Sequence, residues 1–429
     1  MRKHKSVLIK DMSNFKEKLL LWSQQFDDVV WLDSNNYQNL NTEYDAVLAV
    51  DAMTSIQSDY HDAFDKLHEY QTKTTDWIFG YLSYDLKNDT EQLTSNNFDE
   101  LAFPELYFFQ PKKIFLIKGN RLNVLYLNMI ANEFDDDLQS INAEKLHDEH
   151  IRNDVKIHLR IHKDEYFNKV NELLSHIHRG DIYEANFCQE FYADSTQINP
   201  VETYKKLNSI SRPPFATFLK VYDKFLLSAS PERYIKKKHD YIVSQPIKGT
   251  SKRSENPEED TKLIENLSND EKERSENIMI VDLLRNDLSQ VCDPQSVTAP
   301  NICQLESFAT VHHLVSKVEG QLLPAYDPID LLQACFPGGS ISGAPKIQAM
   351  KTIASLEPHQ RGPYCGSLFC LGFDGYLDSN ILIRTLCLDK DSISYHAGGA
   401  ITLDSDPDDE YQESMDKAKA LTQAIGAKA

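Results

Sequence analysis

Two pairs of acids stand three residues apart in this sequence, Glu273 with Glu276 and Glu410 with Glu413. On a helix, residues i and i+3 share a face, so each pair would aim at one place. Two facing pairs would make an oxygen-rich pocket suited to Mg²⁺. The same spacing is also how a solvated helix face looks. In Gln245-Pro246-Ile247-Lys248-Gly249-Thr250, Lys248 stands between an apolar strand-like segment and a Gly-Thr turn. A lysine held partly out of water loses proton affinity and becomes a usable nucleophile. A surface lysine at a strand end has the same local sequence. Upstream, Glu232 in Ser230-Pro231-Glu232-Arg233 would reach Lys248 if the two segments pair as neighbouring strands. That would set a carboxylic acid beside a nucleophile; the alternative is a turn residue in a surface corner.

Three further segments offer anion contacts. Phe336-Pro337-Gly338-Gly339-Ser340-Ile341-Ser342-Gly343-Ala344-Pro345-Lys346 is glycine-rich and precedes a helical pattern at Ile347, Met350, Ile353 and Leu356. It is either an anion cradle ahead of a helix start or a tight turn. It lacks the Gly-x-x-x-x-Gly-Lys-Ser/Thr spacing of a P-loop. Arg384 closes an apolar stretch and could clamp a carboxylate with its planar fork, or simply end a strand. Ala397-Gly398-Gly399-Ala400 offers bare backbone, as a plain turn also would. His313 lies in a largely apolar run, where a hydrogen-bonded core histidine is the commoner outcome.

These residues need elements to hold them. A helix from about Glu271 to Leu288, capped by Asn269 or Asp270, would carry Glu273 and Glu276, with Ile280, Leu283 and Asp287 continuing their face. Another should start at Asp406, with Pro407 first and acids in its opening turn, and end near Gly426. Phe167, Val170, Leu173, Leu174 and Ile177 recur at helical spacing before Gly180. Val47 to Val50 has strand length, and the runs at 113–117 and 123–127 flank Gly119-Asn120 as a hairpin. Residues 213–250 alternate strand-like segments and turns. The elements lack a regular βαβ rhythm, so the expected class is α+β. Residues 132–155 are polar and acidic, which places a soft boundary near 155.

Composition narrows the function. Acids outnumber bases 66 to 45, for a net charge of −21. Such a surface repels phosphate backbones and anionic lipids, so no nucleic-acid or membrane partner is expected. Any anionic substrate must then be drawn in by local cations or a metal. The cysteines number seven, an odd count without a Cys-x-x-Cys pair, which suits a reducing cytosol better than a disulfide framework. The basic Met1-Arg2-Lys3-His4-Lys5 start has no apolar signal core after it, and no run of 18 apolar residues occurs.

In this order, the motifs resemble those of the chorismate-utilising enzymes: the anthranilate, aminodeoxychorismate, isochorismate and salicylate synthases. The carriers are Gly180-Asp181-Ile182-Tyr183, Ser230 to Arg233, Pro246 to Thr250, Glu276 to Leu283, Arg285-Asn286-Asp287, His313 to Ser316, the glycine loop, Arg384-Thr385 and 397–413. The resemblance is dense over 156–427, the expected chorismate-binding catalytic region. It is loose over 1–155, a variable portion expected to lend strands to the same body. It implies an anthranilate synthase component I-like fold, with large antiparallel sheets packed as a sandwich and helices outside.

Within that family, anthranilate synthases resemble Pro-Ile-Ala-Gly-Thr where this chain has Lys248, the mark of aminodeoxychorismate synthases. The lysine is there thought to attack chorismate C2 and expel the C4 hydroxyl, before ammonia adds at C4 and expels the lysine. The water-activating lysine of isochorismate and salicylate synthases is replaced by Glu184. The resemblance further implies Glu276 and Glu413 as Mg²⁺ ligands, with Glu273 and Glu410 supporting them through water. It implies Glu232 as general acid/base, and His313 as a contact to the reacting ring. Tyr364, Arg384 and the backbone of Gly398 and Gly399 become carboxylate-binding groups, with Gly249, Thr250 and Ser340 as further substrate contacts. The expected reaction is amination of chorismate to 4-amino-4-deoxychorismate on the 4-aminobenzoate (folate) route, with ammonia from a partner glutamine amidotransferase. Anthranilate synthase component I and a non-catalytic binding subunit are the rival readings. No fused amidotransferase is expected: in Leu368-Phe369-Cys370-Leu371-Gly372 a leucine holds the place of a required glycine, so Cys370 reads as a core thiol, and the chain ends just past the last family helix. Trp31-Leu32-Asp33-Ser34 departs from the Leu-Leu-Glu-Ser pattern of feedback-inhibited relatives, so tryptophan inhibition is not expected.

Overall fold

A computed structural model describes residues 2–37, 42–91, 93–146 and 155–427. The soft boundary near 155 adjoins residues 147–154, which lie outside the described residues. Every paired strand of the fold runs antiparallel to its neighbour, and two long strands organise the rest. Ala46–Ser58 and Leu106–Lys118 pair along their whole length, with a register shift between Ala52 and Thr54 opposite Pro111. Proline lacks a ladder N–H, so the ladder is interrupted and bends there. Beyond the bend the second strand changes its other neighbour. Residues 113–118 pair with Arg121–Leu127, while residues 106–109 pair with Ile78–Leu82. The two long strands thereby enter both sheets.

Period-two alternation shows how the sheets stack. In Asp28–Asp33, Val29 and Trp31 face one apolar cluster while Val30 faces another. In Ile78–Leu82 and Ser367–Leu371, Phe79, Tyr81, Leu368 and Cys370 join the cluster of Val30, and Ile78, Leu82, Phe369 and Leu371 face away from it. One cluster therefore lies between two sheets, and the outer faces are covered by helices. Phe15, Leu19, Tyr204 and Leu421 cover one side, and Phe64, Leu67, Ile280 and Leu284 the other. This is the α+β antiparallel body expected from the sequence. Strands before residue 155 are part of it: Asp28–Asp33 pairs with Phe215–Val221, and Ile78–Leu82 with Ser367–Leu371. Among the described residues, no helix is long and apolar enough to cross a membrane.

The elements that carry chemistry form where local sequence dictates. The helix Glu271–Ser289 is capped by the Asp270 carboxylate, which accepts from Glu273 N at 3.1 Å. The helix Pro407–Ala424 is capped by Asp406. The 113–117 and 123–127 runs form the expected hairpin, with Gly119 at φ 58° in its turn. The glycine loop is fastened from both sides. Gly343-Ala344 pairs with Glu184-Ala185, and Gly343, at φ 153°, has no room for a side chain, since a Cβ would fall 2.2 Å from the Glu184 carbonyl. Lys346, just after the loop, is buried and donates to Asp287 Oδ2 at 2.6 Å. This ion pair ties the loop to the Glu271–Ser289 helix. Lys346→Ala would leave the Asp287 carboxylate buried and unpaired, at a cost of about 3–5 kcal/mol. Lys346→Met with Asp287→Leu should recover much of that, as read by denaturant unfolding.

Candidate active site

The site residues come from both sheets and two helices. Lys248 and Thr250 lie on Ile247–Lys252, which pairs with Val311–Gln321, where His313 sits. Glu232 precedes Arg233–Lys238, and Arg233 pairs with Gln245, so the two segments are neighbouring strands as Glu232 required. Glu184 opens Glu184–Ala193, which pairs with Ser392–Ile401, the strand of Gly398 and Gly399. Glu273 and Glu276 come from the Glu271–Ser289 helix, Glu410 and Glu413 from the Pro407–Ala424 helix.

Lys248 is buried and donates to Glu184 Oε1 at 2.5 Å. The expected loss of proton affinity is reversed. Burial alone would lower the Lys248 pKa, but the carboxylates of Glu184, Glu276 and Glu232 outweigh it and hold the ammonium above its ordinary value. Glu232 is also buried. Desolvation pushes its carboxyl up to about 7, against the pull of a Ser340 hydrogen bond, the Lys248 charge and the Ile247 N–H. Ser340 thus meets the general-acid candidate directly.

Around this centre, His313 is 1% exposed, its Nδ1 is 2.9 Å from Thr250 Oγ1, and its Nε2 has no partner. Burial, then the Arg384 charge, lowers its pKa to about 3, so the ring is neutral. Gly249 adopts φ 83°, and a methyl there would lie 3.2 Å from Glu273 Oε2. Arg384 is half-buried, and its guanidinium has no hydrogen-bond or ion-pair partner among the described residues. Burial lowers its pKa, although Tyr364 and Glu413 oppose this. A desolvated cation without a counter-ion inside so acidic a protein is a group that an anion could pair with. The Tyr364 hydroxyl lies 3.4 Å from Cys188 Sγ, and its ring stacks on His396. Ser392–Ile401 pairs with Thr385–Asp389 only over 392–395, so the backbone of Gly398 and Gly399 has a strand along just one edge.

The four glutamates crowd the same place. A methyl on Gly399 would lie 3.0 Å from Glu410 Oε2 and 3.5 Å from Glu413 Oε1. Glu276 Oε1 and Glu410 Oε2 are buried without any partner. Burial raises Glu276 to about 7, and burial followed by the Glu413 charge raises Glu273. Burial also raises Glu410, despite a 2.6 Å bond from Ser405. Glu413 is exposed, and although partial desolvation would raise its pKa, Lys417, 2.6 Å away, outweighs it and the pKa falls. No three of these carboxylates bring oxygens within 4.8 Å of one another.

The chain belongs to the chorismate-binding enzyme family. That family's model, described as chorismate binding enzyme, matches residues 20–423. Over 257 residues the chain is 42% identical to aminodeoxychorismate synthase component 1 of Salmonella typhimurium, covering 60% of this chain and 56% of that relative. The match thus spans little more than half of that relative's length. Anthranilate synthase component 1 of Saccharolobus solfataricus is 35% identical over 359 residues, covering 82% of this chain and 81% of that one. Among solved structures, anthranilate synthase component I from Streptococcus pneumoniae superposes with a TM-score of 0.79 at 26% identity, covering 90% of this chain and 93% of that one.

Two features escaped the sequence reading. Glu184 registered only as a missing lysine, yet it is the partner of Lys248. Its strand carried the signal: Glu184, Asn186, Cys188 and Glu190 alternate with Ala185 and Phe187, and a polar face on a strand buried on both sides needs partners. The second is a cavity of about 70 Å³ lined by Leu32, Asp33, Ser34, Pro214 and Asn380 among others, with no candidate catalytic residue in its wall. Asp33 in that wall already accepts from Lys16 at 2.9 Å. Cys370 is buried, with its thiol pushed far up, as a core thiol should be.

A carboxyl whose folded pKa exceeds its ordinary 4.5 lends stability that is complete below 4.5 and is lost as pH rises through about 7. For Glu232 that contribution is on the order of 3 kcal/mol. Thermal unfolding against pH should therefore show Glu232→Gln gaining on the parent between those values and running parallel outside them.

Proposed function

We propose that this chain aminates chorismate at C4, through a covalent adduct on Lys248, to give 4-amino-4-deoxychorismate for 4-aminobenzoate and folate synthesis. The observation that carries this is the placement of Lys248: buried, 2.5 Å from Glu184, within the field of Glu232, in a family whose anthranilate-forming members resemble alanine there. In this reading Lys248 first passes a proton to Glu184, whose second oxygen is buried without a partner. The freed Nζ attacks C2, both ring double bonds shift, C1=C2 to C1=C6 and C5=C6 to C4=C5, and the C4 hydroxyl leaves as water with a proton from Glu232. Ammonia then adds at C4 and gives a proton back to Glu232, both double bonds return, and the C2–N bond to Lys248 breaks. Glu232, poised near pH 7, suits a group that gives and then retakes a proton. Arg384, Tyr364 and the open edge at Gly398 and Gly399 would take one substrate carboxylate. Gly249, Thr250 and neutral His313 would border the ring.

The orphaned oxygens of Glu276 and Glu410 fit a hard divalent cation. We assign Glu276 and Glu413 as Mg²⁺ ligands, with Glu273 and Glu410 reaching it through water, in keeping with the spread of their oxygens. Bound there, Mg²⁺ would neutralise the second substrate carboxylate. The name component 1, borne by the Salmonella relative, supports a partner component, which we take to be a glutamine amidotransferase that supplies ammonia. Seven buried, unpaired cysteines suit the reducing cytosol as its compartment.

Lys248→Ala should keep chorismate binding and lose the adduct that intact-protein mass spectrometry detects on the parent when ammonia is withheld. Amination at the parental rate by this variant would sink the adduct. Glu232→Gln should slow turnover by about 10²–10⁴-fold.

Glu276→Gln and Glu413→Gln should each raise the Mg²⁺ needed for activity, and excess chelator should silence the parent. Purified chain with chorismate and Mg²⁺ should use ammonium, and should use glutamine only once a glutaminase is added. Chromatography should show the pyruvyl group retained, whereas pyruvate release would mark an anthranilate-forming enzyme.

A further inference from the structure

Glu190 and His396 face each other directly across the ladder of Glu184–Ala193 and Ser392–Ile401. The loop after the helix Lys346–Leu356 brings His359 against them, with the two imidazole rings 4.7 Å apart. The rings are buried, His359 at 2% and His396 at 5% exposure. None of their four nitrogens has a hydrogen-bond partner in the protein. Buried polar atoms are costly to leave unmade, and two adjacent side chains doing so together is rare. One ligand atom from each of Glu190, His359 and His396 lies within 4.8 Å of the others.

We propose that Glu190, His359 and His396 bind a divalent transition-metal ion of the Zn²⁺ type, at a site separate from the glutamates beside Lys248. Two imidazoles and a carboxylate form a familiar three-ligand set for such an ion, and imidazole discriminates against Mg²⁺. For bonds of about 2.0–2.1 Å to one ion, the three side chains would close inward from their present spacing within 4.8 Å. Both rings are held neutral, the state that ligates. Burial first, and then the guanidinium charge of Arg361, puts His396 at about 3; burial first, and then the neighbouring His396, puts His359 well below its ordinary value. The outer contacts hold the third ligand in place: Arg160 Nε donates to Glu190 Oε2 at 2.8 Å and Ser394 Oγ to Oε1 at 2.7 Å. The two guanidiniums nearby are already matched, Arg160 by Glu190 and Glu100, Arg361 by Glu357. His396 stacks on Tyr364 with centroids 5.0 Å apart. An ion at this site would fix that tyrosine from behind, next to Arg384.

The test uses the whole chain, stripped with chelator and titrated with Co²⁺ as an optical probe, with Zn²⁺ in competition. One Co²⁺ per chain should give a visible d–d band that Zn²⁺ abolishes, and X-ray absorption of the zinc form should show imidazole nitrogen and carboxylate oxygen. His359→Phe and His396→Phe, with folding checked by circular dichroism, should each weaken binding at least about 100-fold, more than losing an outer contact costs. Glu190→Gln, which keeps its shape, should weaken it too and covers the case of a misfolded histidine variant. Glu276→Gln should bind as the parent does. So should His68→Ala, which removes the exposed His68, Asp327 and Asp330 group. Absence of stoichiometric uptake, or uptake that survives Glu190→Gln and is lost with His68 or Glu276, would overturn the proposal. Because the readout is metal binding, it stands apart from whether the chain aminates chorismate.

Discussion

One ion pair joins the two halves of the chemistry. Lys248 belongs to the sheet that carries Glu232 and His313, and Glu184 to the sheet that carries Gly398 and Gly399. Both side chains are buried, so each charge depends on the other. A buried pair of this kind adds little to stability beyond what an apolar pair would give, because removing two ions from water costs about what their attraction returns. What it fixes is position. The sheets can meet at the site only where the ammonium reaches the carboxylate, and the glycine loop is shaped for that approach. Its Gly343 lies so close to the Glu184 carbonyl that a Cβ would not fit.

The same pair makes the electrostatics of the site tractable. The protein carries a net charge of −21, and five buried or half-buried glutamates gather here beside the exposed Glu413. Left alone, burial pushes such carboxyls toward the neutral form, as it does for Glu232 and Glu276. Lys248, Lys272 and Lys417 counter that push unevenly, which separates Glu413, held ionised, from Glu232 and Glu276, held near neutrality. Arg384 stands apart from this network without a carboxylate of its own. A dicarboxylate would complete it on one side, as a divalent cation would complete Glu276 and Glu413 on the other.

Much of this was legible in the chain, for stated physical reasons. The caps at Asp270 and Asp406, the i,i+3 glutamates and the Gly119-Asn120 turn are local signals, and they set local structure as read. The neighbour relation of Glu232 and Lys248 followed from a short connection between strands. The proton affinity of Lys248 did not follow. Burial is visible in a sequence as an apolar neighbourhood, but two of the three carboxylates that overturn its effect, Glu184 and Glu276, arrive from a different sheet and from a helix. His359 and His396 were passed over for the same reason. Each is unremarkable among its sequence neighbours and acquires meaning only from what faces it across a ladder or a loop.

By itself, then, the sequence determined the class of fold, the helices that present paired glutamates and the membership of a chemical family, because these rest on periodicity, capping and ordered motifs along one strand of chain. Only the tertiary structure decided which charges meet, which nitrogens and oxygens are left without partners, and on which side of neutrality each carboxyl rests. Those depend on distance and on exclusion of water between segments as far apart as Glu184 and Lys248 or Glu190 and His396, and no local pattern encodes either.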